Sequence, residues 1–88
     1  MKLKNGIVQS KVGGDYVAVA TGEAGKVFNG MIRNNATAAF LVDKMMKETT
    51  VDELVKALLD TYDVSEEIAR KDVENVVASF RKAGLLDE

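Results

Sequence analysis

The sequence contains no cysteine, no histidine and no proline. Without cysteine, the chain can form neither disulfides nor thiolate metal sites. Without histidine, it lacks the commonest protein ligand for metals and the usual general base at neutral pH. Because these residue types support most catalysis and metal binding, we expect no catalytic residue, no metal site and no cofactor. The absence of proline also means that no predicted helix or strand is interrupted by one.

The chain also lacks a long apolar run and an excess of basic residues. It has no stretch of about 18 consecutive apolar residues that would span a membrane. Met1–Lys4 is not followed by the apolar segment of a signal peptide. We therefore expect a cytoplasmic protein. The formal net charge is −2, whereas proteins that bind nucleic-acid phosphates usually carry a basic excess.

What the sequence does contain is typical of a small globular protein. It has 88 residues, of which 47% are hydrophobic and 30% are charged. That composition favours a folded core rather than disorder. Because a chain of this length has room for one core, we predict a single domain over residues 1–88.

The N-terminal part alternates β-forming segments with glycine-rich turns. Asn5–Val12 is the first predicted strand, with Val8, Ser10 and Val12 on one face and Ile7, Gln9 and Lys11 on the other. Tyr16–Thr21, the second, is rich in β-formers. Gly13–Asp15 and Gly22–Gly25 indicate turns, and Lys26–Ile32 is the third predicted strand. Two short connections favour an antiparallel meander, in which the third strand lies at an edge.

The C-terminal part predicts three helices. Asn35, Thr50 and Ser65 each stand where a short polar side chain can cap a first helical turn. Glu53 completes a capping box after Thr50, and Gly84 ends the third helix. The predicted fold class is therefore α+β, a three-stranded antiparallel β-meander followed by three helices. The last two helices and the meander resemble a winged helix-turn-helix.

The third strand and the third helix form the candidate binding surface. Phe28–Ile32 carries no charge, although charges on an edge strand normally deter pairing with another strand. An open edge can bind an extended peptide, because main-chain hydrogen bonds give affinity and neighbouring pockets give specificity. The apolar residues of helix three, among them Val73, Val76 and Phe80, either line a groove beside this strand or all face the core.

Several segments, in their order and spacing, resemble the coenzyme PQQ synthesis protein D family. The fold of that family is shared by the recognition elements of ribosomally made, modified peptide pathways. The resemblance extends over nearly the whole chain, with departures from the usual family pattern at Asn34, Ala36 and Val42. The matching segments are Tyr16–Val19, Gly22–Gly25, Val27–Ile32, Asn35–Leu41, Thr50–Val55, Leu58–Leu59, Tyr62–Val64, Asp72–Val73 and Ala83–Leu86.

The resemblance implies both a fold and a function. The fold is a three-stranded antiparallel sheet packed on three helices. The function is that of a non-catalytic adaptor, which binds the leader segment of a precursor peptide and presents the peptide to a modifying enzyme, often a radical SAM enzyme. The leader would add a strand beside strand three, in a groove against helix three. The implied peptide-binding residues are Val27, Phe28, Asn29, Gly30, Met31 and Ile32 on the strand, and Asp72, Val73, Val76, Ser79 and Phe80 on the helix.

Two other functions fit the pattern of elements. A winged-helix DNA-binding or regulatory domain would read DNA with its third helix and needs basic flanks for the phosphates. Four basic residues on that helix are balanced by four acidic ones, so its electrostatic attraction to DNA is small. These charged residues are Arg70, Lys71, Arg81 and Lys82 against Glu66, Glu67, Asp72 and Glu74.

Alternatively, the open edge strand would pair two copies of the chain into a homodimer.

Overall fold

The structure is a computed structural model that describes residues 1–28 and 30–88. Its strands form two small sheets, and its longer helices form a separate layer. In chain order the described residues form β1 (Lys2–Leu3), β2 (Ile7–Val12), β3 (Asp15–Ala20), α1 (Gly22–Gly25), β4 (Met31–Asn34), α2 (Ala36–Lys44), α3 (Val51–Thr61), α4 (Glu66–Lys82) and β5 (Leu86–Asp87).

The larger sheet is an antiparallel meander in the order β2-β3-β4. In the first hairpin Ile7 lies opposite Ala20. In the second pairing Tyr16 lies opposite Asn34, and Val19 lies opposite Met31. The predicted three-stranded antiparallel sheet is confirmed, with β3 in the middle and β4 at an edge.

The predicted bounds of the third strand are wrong. Gly22–Gly25 forms a helical turn, and the backbone N–H groups of Lys26, Val27 and Phe28 continue that turn by donating to the carbonyls of Glu23 and Ala24. Those N–H groups are therefore not available for pairing with β3. The strand begins only at Met31 and extends to Asn34, while Asn29 lies outside the described residues.

The predicted helix caps are confirmed at all three positions. The Asn35 side chain accepts a hydrogen bond from the backbone of Ala38 at 2.8 Å. Thr50 Oγ1 accepts from the backbone of Glu53 at 3.1 Å. Ser65 Oγ accepts from the backbone N–H three residues along at 3.3 Å. Each cap satisfies an N–H group that the first helical turn leaves without a partner.

The core lies between the meander and the helices. Four residues of α4 are buried in it, each at most 2% exposed: Ala69, Val73, Val77 and Phe80. Val42, where the chain departs from the usual pattern of the resembling family, is also completely buried. The other large side chains that are fully buried are Leu3, Leu41, Met45, Leu54, Leu58 and Leu85.

The two ends of the chain form the second sheet, which the sequence pattern did not predict. Lys2 and Leu3 of β1 pair antiparallel with Asp87 and Leu86 of β5. The Leu3 amide also donates to the carbonyl of Met45 at 2.8 Å, which fastens β1 to the end of α2. Within the described residues, no helix combines the length and the apolar character needed to cross a membrane.

Candidate functional site

The outer edge of β4 is open. In the part of the chain that the structure describes, β4 hydrogen-bonds to β3 on one side and to no strand on the other. Alternate residues of such an edge strand direct both N–H and C=O outward. The side chains of Ile32 and Asn34 are half-buried toward the helices, whereas Met31 and Arg33 are exposed on the opposite face. Another extended chain can therefore pair with β4.

A cavity beside the start of β4 is mainly apolar. Its volume is about 520 Å³, and it lies between the α1–β4 segment and the C-terminal part of α4. Phe28 and Ile32 are half-buried there and pack against the core. The apolar cavity, as we name it, is lined by Val27, Phe28, Ile32, Ser79, Lys82 and Ala83.

A second cavity, beyond the end of β4, is mainly polar. Its volume is about 210 Å³, and it lies between the first turn of α2 and the middle of α4. The polar cavity is lined by Asn35, Thr37, Ala38, Asp72, Asn75 and Val76. Both cavities share α4 as one wall, so together with the open edge of β4 they make one surface, which we name the edge groove.

Six of the predicted site residues line the two cavities, and the others lie elsewhere. Met31 belongs to β4, but its side chain is 61% exposed on the outer face of the sheet. Gly30 is exposed just before β4, and Asn29 lies outside the described residues. Val73 and Phe80 are core residues. The six residues in the cavities are Val27, Phe28, Ile32, Asp72, Val76 and Ser79.

Sequence reasoning missed six lining residues, which are Asn35, Thr37, Ala38, Asn75, Lys82 and Ala83. Those on α4 could have been predicted from their spacing to residues that were already predicted. Asn75 and Lys82 follow Asp72 and Ser79 by three residues, and residues at that spacing share a helix face. No sequence pattern pointed to those at the start of α2, and the capping role of Asn35 already explained why an asparagine stands there.

The other edge of the meander, at β2, is a poorer candidate. A cavity of about 240 Å³ lies there as well, between β2 and α2. However, the Gln9 side chain crosses it and donates to the carbonyl of Ala39 at 3.0 Å. Lys11 adds a charge at this edge, with its Nζ 5.5 Å from the centre of the Tyr16 ring. The bridging by Gln9 opposes the addition of a strand at β2, whereas charge does not distinguish the two edges, because β4 carries the exposed Arg33.

Three described residues have a shifted pKa, and none of them lines either cavity. The pKa of Glu88 is lowered by its hydrogen bonds with Arg81, and the pKa of Arg81 is raised by the same contact. The pKa of Glu48 is lowered chiefly by a hydrogen bond from the N-terminal amino group. In residues 1–28 and 30–88, no group of three or more acidic, histidine or cysteine side chains is arranged to hold a metal.

Comparison with known families decides the family of this chain. The family model described as Coenzyme PQQ synthesis protein D (PqqD) matches residues 15–86. The chain belongs to the PqqD family. The resemblance noted from its segments is therefore confirmed. No curated protein matches the chain significantly.

Two solved structures share the fold of this PqqD family member. TbiB1 in complex with the TbiA(beta) leader peptide has a TM-score of 0.73 and 15% identity, covering 99% of this chain and 95% of that chain. Lasso peptide synthetase B1 complexed with the leader peptide has a TM-score of 0.68 and 19% identity, covering 96% and 93%. At such identities the likeness concerns the fold, and it confirms the predicted α+β class.

Proposed function

We propose that this protein is a non-catalytic adaptor that binds the leader segment of a ribosomally made precursor peptide. The leader adds a strand to the open edge of β4 and lies in the edge groove against α4. The observation that carries the proposal is the coincidence of an unpaired strand edge with two cavities that share one helical wall. Main-chain hydrogen bonds to the edge supply affinity, and the cavities take alternate side chains of the added strand.

Three further observations support the proposal. Two structures of the same fold were solved with leader peptides bound. Among the residues that the structure describes, no side-chain hydrogen bond bridges the edge of β4 to a helix, whereas Gln9 bridges the edge of β2 to α2. The four basic and four acidic residues of α4 balance, so this helix offers little electrostatic attraction to DNA phosphates, which disfavours the DNA-binding alternative.

The predicted site residues take different roles in this proposal. The backbone of Met31 and Ile32, continued by Arg33 and Asn34, pairs with the leader. The six predicted residues in the cavities contact leader side chains. Val73 and Phe80 support the groove from the core, because both are almost completely buried.

We propose further that the chemistry is carried out by a separate modifying enzyme, such as a radical SAM enzyme, to which the bound precursor is presented. The adaptor itself uses no cofactor and acts in the cytoplasm as a single domain over residues 1–88. A homodimer paired through β4 would occupy the same edge, so self-association and leader binding would compete.

The experiment that tests the proposal is a titration of the isotope-labelled protein with the leader of a precursor peptide encoded beside its gene, followed by amide NMR. We expect the largest shifts in β4 and along α4 from Asp72 to Ala83. The amides of β2 provide the internal control, because they belong to the other edge of the same sheet. Shifts confined to β2, or to any surface outside the edge groove, would overturn the proposal.

A further inference from the structure

We propose that the edge groove selects leader segments by charge and order, taking a basic side chain in the polar cavity and an apolar side chain in the apolar cavity. This inference rests on the proposed leader binding and adds the class of leader that is bound. It follows from the different residues of the two cavities and from the distance between them.

The polar cavity offers one uncompensated carboxylate. Asp72 is half-buried on α4, and it takes no part in the four ion pairs formed by the described residues. Asn75 and Thr37 line the same cavity and can accept further hydrogen bonds. A lysine or arginine side chain would gain a charge-assisted hydrogen bond there, while an acidic one would meet like charge in a partly enclosed space.

The start of α2 also borders the polar cavity, and a helix N-terminus favours anions. Two facts make its influence smaller than that of Asp72. The Asn35 side chain already accepts the hydrogen bond of the Ala38 amide. The N-terminal end of a helix is equivalent to about half a positive charge, whereas an ionised Asp72 carries a full negative charge. The cavity as a whole therefore attracts cations.

The apolar cavity has the opposite preference. Phe28, Ile32 and Ala83 give it apolar walls, and the aliphatic stem of Lys82 extends them. The ammonium group of Lys82 takes no part in the ion pairs of the described residues either. A basic leader side chain would meet like charge at this cavity, so it is directed to the cavity that contains Asp72.

The spacing of the cavities sets the spacing in the leader. Asn75 and Lys82 stand seven residues apart on α4, which corresponds to roughly 10 Å along the helix axis. An extended peptide covers that distance in about three residues. Because only alternate side chains face the groove, the basic and apolar residues of the leader should be about two or four positions apart.

The direction of the added strand sets their order. Along the chain, β4 leads from Ile32 at the apolar cavity toward Asn35 at the polar cavity. Antiparallel pairs are slightly more stable per residue than parallel pairs. A leader paired antiparallel to β4 therefore enters at the polar cavity and leaves at the apolar one. Its basic residue precedes its apolar residue in sequence.

The experiment compares short synthetic peptides of extended, serine- and threonine-rich sequence that carry one phenylalanine and one variable residue before it. With lysine at the variable position we expect binding about fivefold tighter than with glutamate, and glutamine should be intermediate. The lysine peptide with the two residues in reverse order should bind more weakly than the original. The preference for lysine should shrink as salt is added, because the contact is electrostatic.

The protein variant Asp72→Lys should reverse the preference, so that the glutamate peptide binds more tightly than the lysine peptide. Glu74→Lys is the matched control, since it makes the same charge change on an exposed position of α4 outside both cavities. Reversal in both variants would mean that net charge alone decides, and would overturn the inference. Equal binding of all peptides, or no binding of any, would overturn it as well.

The proposed function is tested separately by the natural leader. Suppose that this leader shifts the amides of β4 and α4, but that the Asp72→Lys variant still binds the lysine-substituted leader more tightly than the glutamate-substituted one, as the parent protein does. The charge rule then fails, and leader binding stands. If the natural leader leaves those amides unshifted, leader binding at the edge groove itself fails.

Discussion

At the scale of single residues, the decisive question is which side of α4 each apolar residue occupies. The sequence pattern left this open, because Val73, Val76, Val77 and Phe80 belong to one broad stripe. In the structure Val73, Val77 and Phe80 are buried in the core, whereas Val76 is half-buried and lines the polar cavity. A rotation of α4 by a fraction of a turn would exchange these positions. Only the packing of the other helices and the sheet fixes that rotation.

Val76→Lys tests the groove at this scale. The change places an ammonium group beside Asp72, where it fills part of the polar cavity and compensates the carboxylate, and we expect leader binding to weaken by more than about 1 kcal/mol. Isothermal titration calorimetry with the natural leader measures the loss. Ile68→Lys is the matched control, because Ile68 is an apolar residue of α4 that is 54% exposed and lines neither cavity. An equal loss in the two variants would contradict the position of the groove.

At the scale of elements, the fold class and the three helix starts followed from sequence patterns, but the third strand did not. Val27 and Phe28 are good β-formers, and the pattern therefore extended the strand over them. Instead, the amides of both residues donate hydrogen bonds to the carbonyl of Ala24 and continue the helical turn of α1. That turn depends on contacts from a distant segment, since Ala24 donates to the carbonyl of Asn5 at 3.0 Å. Short-range patterns cannot show such a contact.

The polar cavity could not be predicted from the sequence for a related reason. Its two walls come from Asn35, Thr37 and Ala38 on one side and from Asp72, Asn75 and Val76 on the other. These segments are far apart in the chain, and each has an ordinary explanation as a helix cap or a solvated helix face. Their position around one cavity is visible only after the helices have packed.

Gly6→Ala tests the junction that holds α1 in place. Gly6 has a φ of +106°, and an added Cβ would lie 1.9 Å from the carbonyl oxygen of Thr21. The backbone amide of Thr21 donates to the Gly6 carbonyl at 2.8 Å, so the two segments cannot easily separate. We expect the variant to lose more than about 1 kcal/mol of unfolding free energy, measured by urea denaturation.

Gly13→Ala is the control for the backbone conformation alone. Gly13 also has a positive φ, of +62°, but an added Cβ there would meet no atom within 4 Å. The difference between the two variants therefore reports the close approach to Thr21. If both variants were equally stable, the junction would not depend on this contact.

At the scale of the whole molecule, the sheet formed by β1 and β5 joins the two ends of the chain to the helical layer. Two ion pairs reinforce it from outside. Arg81 donates two hydrogen bonds to the carboxylate of Glu88, at 2.7 and 3.0 Å. The N-terminal amino group forms an ion pair with Glu48 and donates to the carbonyl of Thr49 at 2.9 Å. Both ends of the chain are thereby held by charges at the surface.

These pairs predict a loss of stability in acid. The pKa values of Glu48 and Glu88 are lower in the folded chain than their ordinary value. Their stabilisation is therefore complete above the ordinary carboxyl pKa and is lost as the pH falls through the lowered values. Urea midpoints measured over this acidic range should fall less steeply for Glu88→Gln than for the parent protein. Glu74→Gln, an exposed acid outside the ion pairs, should retain the parent slope; an unchanged slope in Glu88→Gln would contradict the prediction.

The pairing of β1 with β5 also has a topological consequence. Because Lys2 lies opposite Asp87, the chain enters and leaves the folded unit at neighbouring points, so its path is almost a closed ring. Folded units of this kind tolerate circular permutation, and they can be inserted into a surface loop of another protein without separating their own ends. We therefore expect this folded unit to keep its fold when it is inserted into a surface loop of a larger protein.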